Sequence, residues 1–139
     1  MEVRTGMSNV VLTVGPAHTL REAAQRMTDK GVGAAVVIDE EGQGPRVVSE
    51  RDIPISIGRG QDPDVERVAD HMSDSVISAE SEWSLERAAV EMARRHIRHL
   101  VVVERGELVG VLSMRDIVRV WTSEGATSGM TSPEAERTV

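Results

Sequence analysis

The sequence predicts a mixed α/β chain, α+β in layout, made of two successive strand–helix–strand–strand–helix units. Three observations predict it. The pentad Ser-x-Arg-Asp-Ile occurs twice, at 49–53 and 113–117, each time directly after an apolar run. Laying Leu20 over Leu85, an offset of 65, also aligns Met7-Ser8 with Met72-Ser73, Val11 with Val76, Ala23-Ala24 with Ala88-Ala89, Met27 with Met92 and Val36-Val37 with Val101-Val102. One extra residue near Glu40 shortens the offset to 64, and Gly42 then meets Gly106 and Val47 meets Val111. Agreement in one register over about 45 positions marks a tandem duplication. The third observation is that apolar spacing alternates between strand-like runs and a helical period in the same order in both copies.

Each element has a local cause. Val10-Val11-Leu12-Thr13-Val14 predicts a short strand, stopped by Gly15-Pro16. Thr19 with Glu22 three residues on is a capping box, so a helix starts there. Leu20, Ala23, Ala24 and Met27 follow the i, i+3, i+4, i+7 spacing of one buried face, and Gly31 is placed to end the helix. Residues 34–38 are a continuous apolar run of strand length, residues 39–44 a turn, and Arg46-Val47-Val48-Ser49 the next strand. Asp52 is expected to open a helix that fades at Gly58-Arg59-Gly60, with Pro54 tolerated in its first turn. Asp62-Pro63 predicts a short helix in the connector. The second copy repeats the order: strand 76–79, helix 85–95, strand 100–103, a turn at Arg105-Gly106-Glu107, strand 108–112, and a helix from Asp116 to about Trp121. The predicted boundaries are 7–66 for the first repeat, 67–124 for the second and 125–139 for a flexible tail rich in Ser, Thr, Gly and Glu.

Composition narrows the function. The 139 residues suffice for one compact domain with a real core. With two Trp and neither Phe nor Tyr, that core must be aliphatic, and stacking surfaces for single-stranded nucleic acid are scarce. A net charge of −7 offers no basic footprint for a duplex. The absence of cysteine removes disulfides, zinc thiolates and a cysteine nucleophile. No apolar run approaches the ~20 residues of a membrane span, and Met1-Glu2-Val3-Arg4-Thr5-Gly6 does not read as a signal peptide. The expectation is a soluble cytoplasmic protein that contacts neither nucleic acid nor membrane. No G-x-S-x-G elbow, P-loop or H-E-x-x-H motif is present, so the chain is not expected to be an enzyme. Ser113 and Asp116 with a nearby His would imitate a triad, but nothing orients a His as base. His96 and His99 span a helix–strand junction without an acidic third ligand in sequence, so no metal site is expected.

The chemistry concentrates in the duplicated turn. Asp accepts an orphan N–H at a helix start, and the free N–H groups and dipole there favour an anion. A Ser hydroxyl, an Asp carboxylate and that helix end can together grip a sugar-phosphate, the carboxylate taking ribose hydroxyls. The candidates are Ser49 with Asp52 and Ser113 with Asp116. The same spacing is also an ordinary helix-start signature; the two roles coexist, because Asp can serve the backbone while the cleft is empty.

Two such units, each closing on apolar-Gly-apolar-apolar-Ser/Thr-x-x-Asp, resemble a tandem pair of cystathionine-β-synthase (CBS) domains, a Bateman module, over residues 7–124. The second copy fits at Leu108-Val109-Gly110-Val111-Leu112-Ser113-x-x-Asp116. The first departs, with Arg46 in place of Gly and a long side chain expected beside its cleft. The resemblance implies two repeats packed about a pseudo-twofold axis, with two clefts that take AMP, ADP, ATP or S-adenosylmethionine and no required cofactor. It also implies a disc-like homodimer acting on an unidentified effector protein. Asp52 and Asp116 would hold ribose, with Ser49 and Ser113 beside them. Arg98 and His99, at the mouth of the second copy's buried strand, resemble the phosphate-contacting basic residues of nucleotide-binding members; the first copy has Gly33 and Ala34 there. Binding is therefore expected mainly in the second copy. The alternative is an interaction homodimer with vestigial clefts. Arg94 and Arg95 are equally consistent with a solvated helix end favoured by the C-terminal dipole.

Overall fold

The computed structural model describes residues 1–42, 44–73 and 77–123. Two three-stranded sheets of matching topology stand at its centre. In the first, β1 (Thr13–Val14) runs parallel to β2 (Ala34–Val37), and β2 antiparallel to β3 (Arg46–Ser49). In the second, β4 (Ser78–Glu80) runs parallel to β5 (His99–Glu104), and β5 antiparallel to β6 (Glu107–Ser113). The parallel pairs are joined across α2 (Leu20–Lys30) and α4 (Leu85–Arg95), and α3 (Asp52–Gly58) and α5 (Met114–Ser123) follow the last strands. This is the predicted β-α-β-β-α order, twice.

The helices form where capping and periodicity place them. Thr19 Oγ1 accepts the Glu22 N–H at 3.1 Å while Glu22 Oε1 accepts the Thr19 N–H at 3.4 Å. Ser84 caps α4 by accepting the Arg87 N–H at 3.0 Å. Leu20, Ala23 and Met27 on α2 and Leu85, Ala88 and Met92 on α4 are buried at equivalent positions. Gly31 ends α2 in the left-handed region at φ 66°, and His96 ends α4 there at φ 55°, a conformation that costs a residue with a Cβ more than it costs glycine. Arg105 and Gly106, both at positive φ, make the tight connection between β5 and β6.

Some boundaries differ from expectation. Pairing at 10–14 is confined to Thr13–Val14, and the fourth strand, expected at 76–79, is seen at Ser78–Glu80, with residue 76 outside the described residues. The connector forms a turn and then a 3-10 turn at Val68–Asp70 instead of a helix starting at Pro63. The last helix begins at Met114, two residues before Asp116, and reaches Ser123. The tail predicted at 125–139 lies outside the described residues.

The sequence did not announce α1 (Val3–Gly6). This short helix precedes the first repeat yet packs into the core of the second: Val3, fully buried, clusters with Leu85, Met92, Leu100, Leu112 and Ile117. Its counterpart at the 65-residue offset is Val68, also fully buried, which joins Leu20, Met27, Val37 and Val48 in the core of the first. The hydrogen bonds repeat in parallel. Val3 N–H donates to the Trp83 carbonyl at 2.7 Å and Val68 N–H to the His18 carbonyl at 2.8 Å; Leu85 N–H donates to Met1 and Leu20 N–H to Glu66, at 2.9 and 3.0 Å. Each core is thus closed by the segment leading into the other repeat. Burying one valine this way stabilises the fold by roughly 1.5–3 kcal/mol.

Gly110 follows from that crossing. Ser8 and Val111 exchange both backbone hydrogen bonds, at 2.9 and 3.1 Å, and a Cβ on Gly110 would lie 2.7 Å from the Ser8 carbonyl oxygen and 2.8 Å from Met7 Sδ. In the first repeat Arg46 occupies the equivalent position. There Ser73 N–H still reaches the Val47 carbonyl at 2.9 Å, but Val47 N–H goes to the Ser73 hydroxyl at 3.1 Å. One backbone bond is replaced by a side-chain bond.

Candidate functional site

The two duplicated turns are built alike and keep one carboxylate oxygen off the turn. In the second repeat, Ser113 Oγ accepts the Asp116 N–H at 3.0 Å and Asp116 Oδ2 accepts the Ser113 N–H at 2.9 Å. Because α5 starts at Met114, Ser113 is the N-cap and Asp116 the third helical residue, a reciprocal capping box rather than the Asp cap expected. In the first repeat, Asp52 Oδ2 accepts the Ser49 N–H at 2.8 Å and its hydroxyl at 3.3 Å. Oδ2 is committed to holding strand and helix together in both. Among the described residues, Oδ1 of Asp116 has only a long contact, 3.4 Å, from the Arg119 guanidinium.

Each turn lines a cleft whose other wall comes from the other repeat. The Asp52 cleft, about 490 Å³, is bounded by Ser49, Arg51 and Asp52 on one side and His96, Ile97, Arg98 and His99 on the other, with His71, Met72 and Ser73 at its end. The Asp116 cleft, about 620 Å³, is bounded by Ser113, Arg115 and Asp116 and, opposite, by Gly31, Val32, Gly33 and Ala34. Both sizes suit a small-molecule ligand. Arg98, His99 and Glu50 reach both clefts.

This arrangement keeps the expected grouping of Arg98 and His99 with Ser113 and Asp116 in one cleft and adds a second grouping. Arg98 and His99 belong to the same repeat as Ser113 and Asp116, and His99 pairs in register with Ser113 across β5 and β6. They also line the cleft of Ser49 and Asp52, and Gly33 and Ala34 line the cleft of Ser113 and Asp116. The cleft in which binding was expected therefore holds Ser113, Asp116, Arg98 and His99 together, with Gly33 and Ala34 also on its lining. Arg46 opens β3 opposite Val37 and does not line the Asp52 cleft beside which it was expected.

Electrostatics separate the basic residues. Burial holds His99 below its ordinary value of 6.5; Glu50 and Asp116 raise it, while Arg115 and Arg98 add to the lowering. Its ring is neutral at neutral pH, leaving Arg98 as the standing cation of the pair. Arg94 and Arg95 both reach back to Glu91, at 3.2 and 3.1 Å, which is the behaviour of a solvated helix end. Trp83 anchors its loop through its carbonyl to Val3, and the Arg87 guanidinium lies 3.8 Å from its ring centroid. Trp121 packs against the second core.

Sequence reasoning missed Glu50, Arg115 and His71. The first two stand inside the duplicated pentad, where Glu50 aligns with Met114 and the Arg is kept in both copies, so the signal was present without an assignment. Arg115 Nη2 lies 3.9 Å from Glu50 Oε1, an ion pair between the two turns. His71, whose Nε2 is 2.8 Å from Glu66 Oε1, comes from the connector and had no sequence signal.

The family model of the CBS domain matches residues 2–53 and 65–123. An uncharacterized protein of Methanopyrus kandleri is 33% identical over 112 residues, 79% of this chain; the chain spans 57% of that protein's length. The CBS domain-containing protein YhcV of Bacillus subtilis is 34% identical over 132 residues, 94% of this chain and 93% of that one. A CBS domain protein of Pyrobaculum aerophilum, solved in complex with AMP, superposes with a TM-score of 0.77 at 33% identity, covering 91% of this chain and 99% of that one. Among the described residues no helix is long and apolar enough to cross a membrane.

Proposed function

Because the chain belongs to the CBS-domain family, we propose that it is a regulatory module that binds an adenosyl ligand of the AMP, ADP or ATP type between its repeats and thereby modulates a partner protein, without chemistry of its own. The observation that carries this reading is the opposition of Arg98 and His99 to the turn of Ser49 and Asp52 across one cleft. Asp52, with Oδ2 fixed by Ser49, turns Oδ1 to the ribose hydroxyls, which an ionised carboxylate accepts strongly. Arg98 meets the phosphate, and His99 joins it on protonation. The AMP complex of the Pyrobaculum aerophilum relative supports this class of ligand.

The turn of Ser113 and Asp116 offers a second ribose site of the same geometry. S-adenosylmethionine, which shares the adenosine portion, belongs to the same ligand class. Exposed Ile55 and Ile57 on α3 and Val118 on α5 support pairing of two chains into a homodimer that presents the ligand state to the partner.

The test is calorimetric titration with AMP of the wild type, Asp52→Ala, Asp116→Ala and Arg98→Ala. The expected result is saturable binding that Asp52→Ala removes and that Arg98→Ala weakens by about 10- to 100-fold, the range for losing a charged hydrogen bond. Asp116→Ala is expected to leave AMP affinity within about twofold of wild type. A wild-type chain that is folded and takes no adenine nucleotide would leave the interaction homodimer as the better account.

A further inference from the structure

The connector gives the Asp52 cleft a histidine where the matching N-terminal segment gives the Asp116 cleft none. His71 lines the Asp52 cleft beside Met72 and Ser73. Its counterpart at the 65-residue offset is Gly6, which is packed under α5, where a Cβ would lie 3.2 Å from Val120 Cγ2, and which does not line the Asp116 cleft. The His71 side chain is only 10% exposed, and its Nε2 lies 2.8 Å from Glu66 Oε1. A carboxylate only accepts, so Nε2 carries the hydrogen, and in the uncharged ring the lone pair is left on Nδ1. Among the described residues, Nδ1 has no hydrogen-bond partner. The backbone beneath the ring is held: His71 N–H donates to the Val68 carbonyl at 3.0 Å, and Val68 is fully buried. A buried acceptor on a fixed segment is costly while unpaired, and a ligand that supplies a donor removes that cost.

We infer that His71 is a specificity-determining residue that reads the base of the ligand in the Asp52 cleft: Nδ1 accepts a hydrogen bond from the exocyclic 6-amino group of adenine, and Glu66 is the positioning residue that holds the ring in the tautomer this requires. The inference rests on the adenosyl reading of that cleft given above. With ribose on Asp52 and phosphate on Arg98, the lining left for the base includes His71, Met72, Ile77 and Ile97. Met72, Ile77 and Ile97 offer apolar surface to a flat ring, and His71 supplies an acceptor among them. A base with a donor at position 6 satisfies the lone pair. A base without one leaves it unpaired, and a 6-oxo group sets two acceptors against each other; sites built around a hydrogen bond reject analogues that lack it for this reason.

The experiment is calorimetric titration of the full chain with AMP and with purine riboside 5′-monophosphate, which differs from AMP only in lacking the 6-amino group, at about pH 8, where an imidazole is uncharged. The wild type is expected to bind AMP about 10- to 100-fold more tightly than the deamino analogue. His71→Ala is expected to narrow that preference to within about threefold, the two ligands and two chains forming a cycle that isolates the contact. Glu66→Gln keeps the shape of the side chain, but its amide can donate as well as accept and no longer fixes the ring hydrogen, so it is expected to narrow the preference as well. It also carries the test alone if His71→Ala does not fold. A preference that persists unchanged in the folded variants overturns the inference, because the base is then read elsewhere. Narrowing in His71→Ala alone keeps His71 as the reader and overturns the role of Glu66. Equal affinity of the wild type for the two nucleotides, with binding lost in Asp52→Ala, overturns the inference and leaves the nucleotide reading standing. A folded wild-type chain that takes neither nucleotide fails both.

Discussion

The two repeats agree in their turns and disagree in their walls. Ser49 with Asp52 and Ser113 with Asp116 make nearly the same hydrogen bonds, and α2 and α4 bury the same three positions. The segment that faces the opposite cleft has diverged, Gly31-Val32-Gly33-Ala34 in one and His96-Ile97-Arg98-His99 in the other. The difference teaches where a duplicated fold has freedom. A turn that ties strand to helix is held by its own stability, whereas a strand mouth facing a cleft can change charge without disturbing the core behind it.

The strongest way to break this comparison is to exchange the residues at which the leading segments dock. Gly110→Arg makes the second repeat imitate the first, and the close approach of Ser8 and Met7 leaves no room for its Cβ. The expected cost is about 1–3 kcal/mol, read from urea unfolding. A variant as stable as wild type would show that the second repeat can accommodate the side chain as the first does.

The walls are tested by transplanting charge. Gly33→Arg places a guanidinium against Glu50 in the Asp116 cleft. AMP affinity at that cleft is expected to rise about tenfold, seen as a second equivalent in calorimetry. Unchanged stoichiometry would mean that the wall does not set the ligand.

A smaller effect is expected at the helix ends. His96→Gly gives α4 the terminator that α2 already has, and should stabilise the chain by about 0.4–1 kcal/mol in thermal unfolding, with Gly31→Ala costing a similar amount. A His96→Gly variant of lower stability would show that the His96 side chain contributes more than its strained backbone costs.

The gentlest test is pH. His99 is held below its ordinary 6.5, chiefly by burial, so the unfolded chain takes the proton first. Its contribution to stability is therefore full above about pH 6.5 and declines as pH falls from there toward the folded value. His99→Gln should flatten the dependence of the urea midpoint on pH in that window. A phosphate beside His99 would raise its pKa, so AMP binding near pH 6.5 should take up more protons in wild type than in His99→Gln, where the phosphate's own ionisation is the exchange that remains, measured by titration in buffers of different ionisation enthalpy.

How much of this was legible follows from which interactions are local. The capping box of Thr19 and Glu22, the buried face of Leu20, Ala23 and Met27, and the bond between Ser113 and Asp116 join residues within two turns of chain, and spacing alone displays them. The duplication was legible because those local patterns recur in one register. What spacing could not display is which turn faces which wall. Arg98 lies 15 residues from Ser113 and 49 from Ser49 in sequence, yet it lines a cleft with each of them. That sharing is set by packing across the pseudo-twofold axis, for which the chain carries no periodic signal. The burial of Val3 was hidden for a related reason. It is one apolar residue among polar neighbours, and its cavity is made of Leu85, Leu112 and Val120 far along the chain.

That crossed arrangement has a consequence for how the protein comes to be folded in a cell. The segment carrying Val3 is synthesised before the first repeat, but its cavity is completed only when α5 has been made. Until then a buried valine and the Ser8 strand pairing wait in solvent. Neither repeat has a finished core while only the first has left the ribosome, because Val68, which closes that one, arrives with the connector. The contacts that lock the second core are among the longest in sequence separation that the chain makes, and such contacts form slowly. A stalled or truncated product would therefore expose an apolar seat rather than release a finished half, and would be a target for chaperones and proteases.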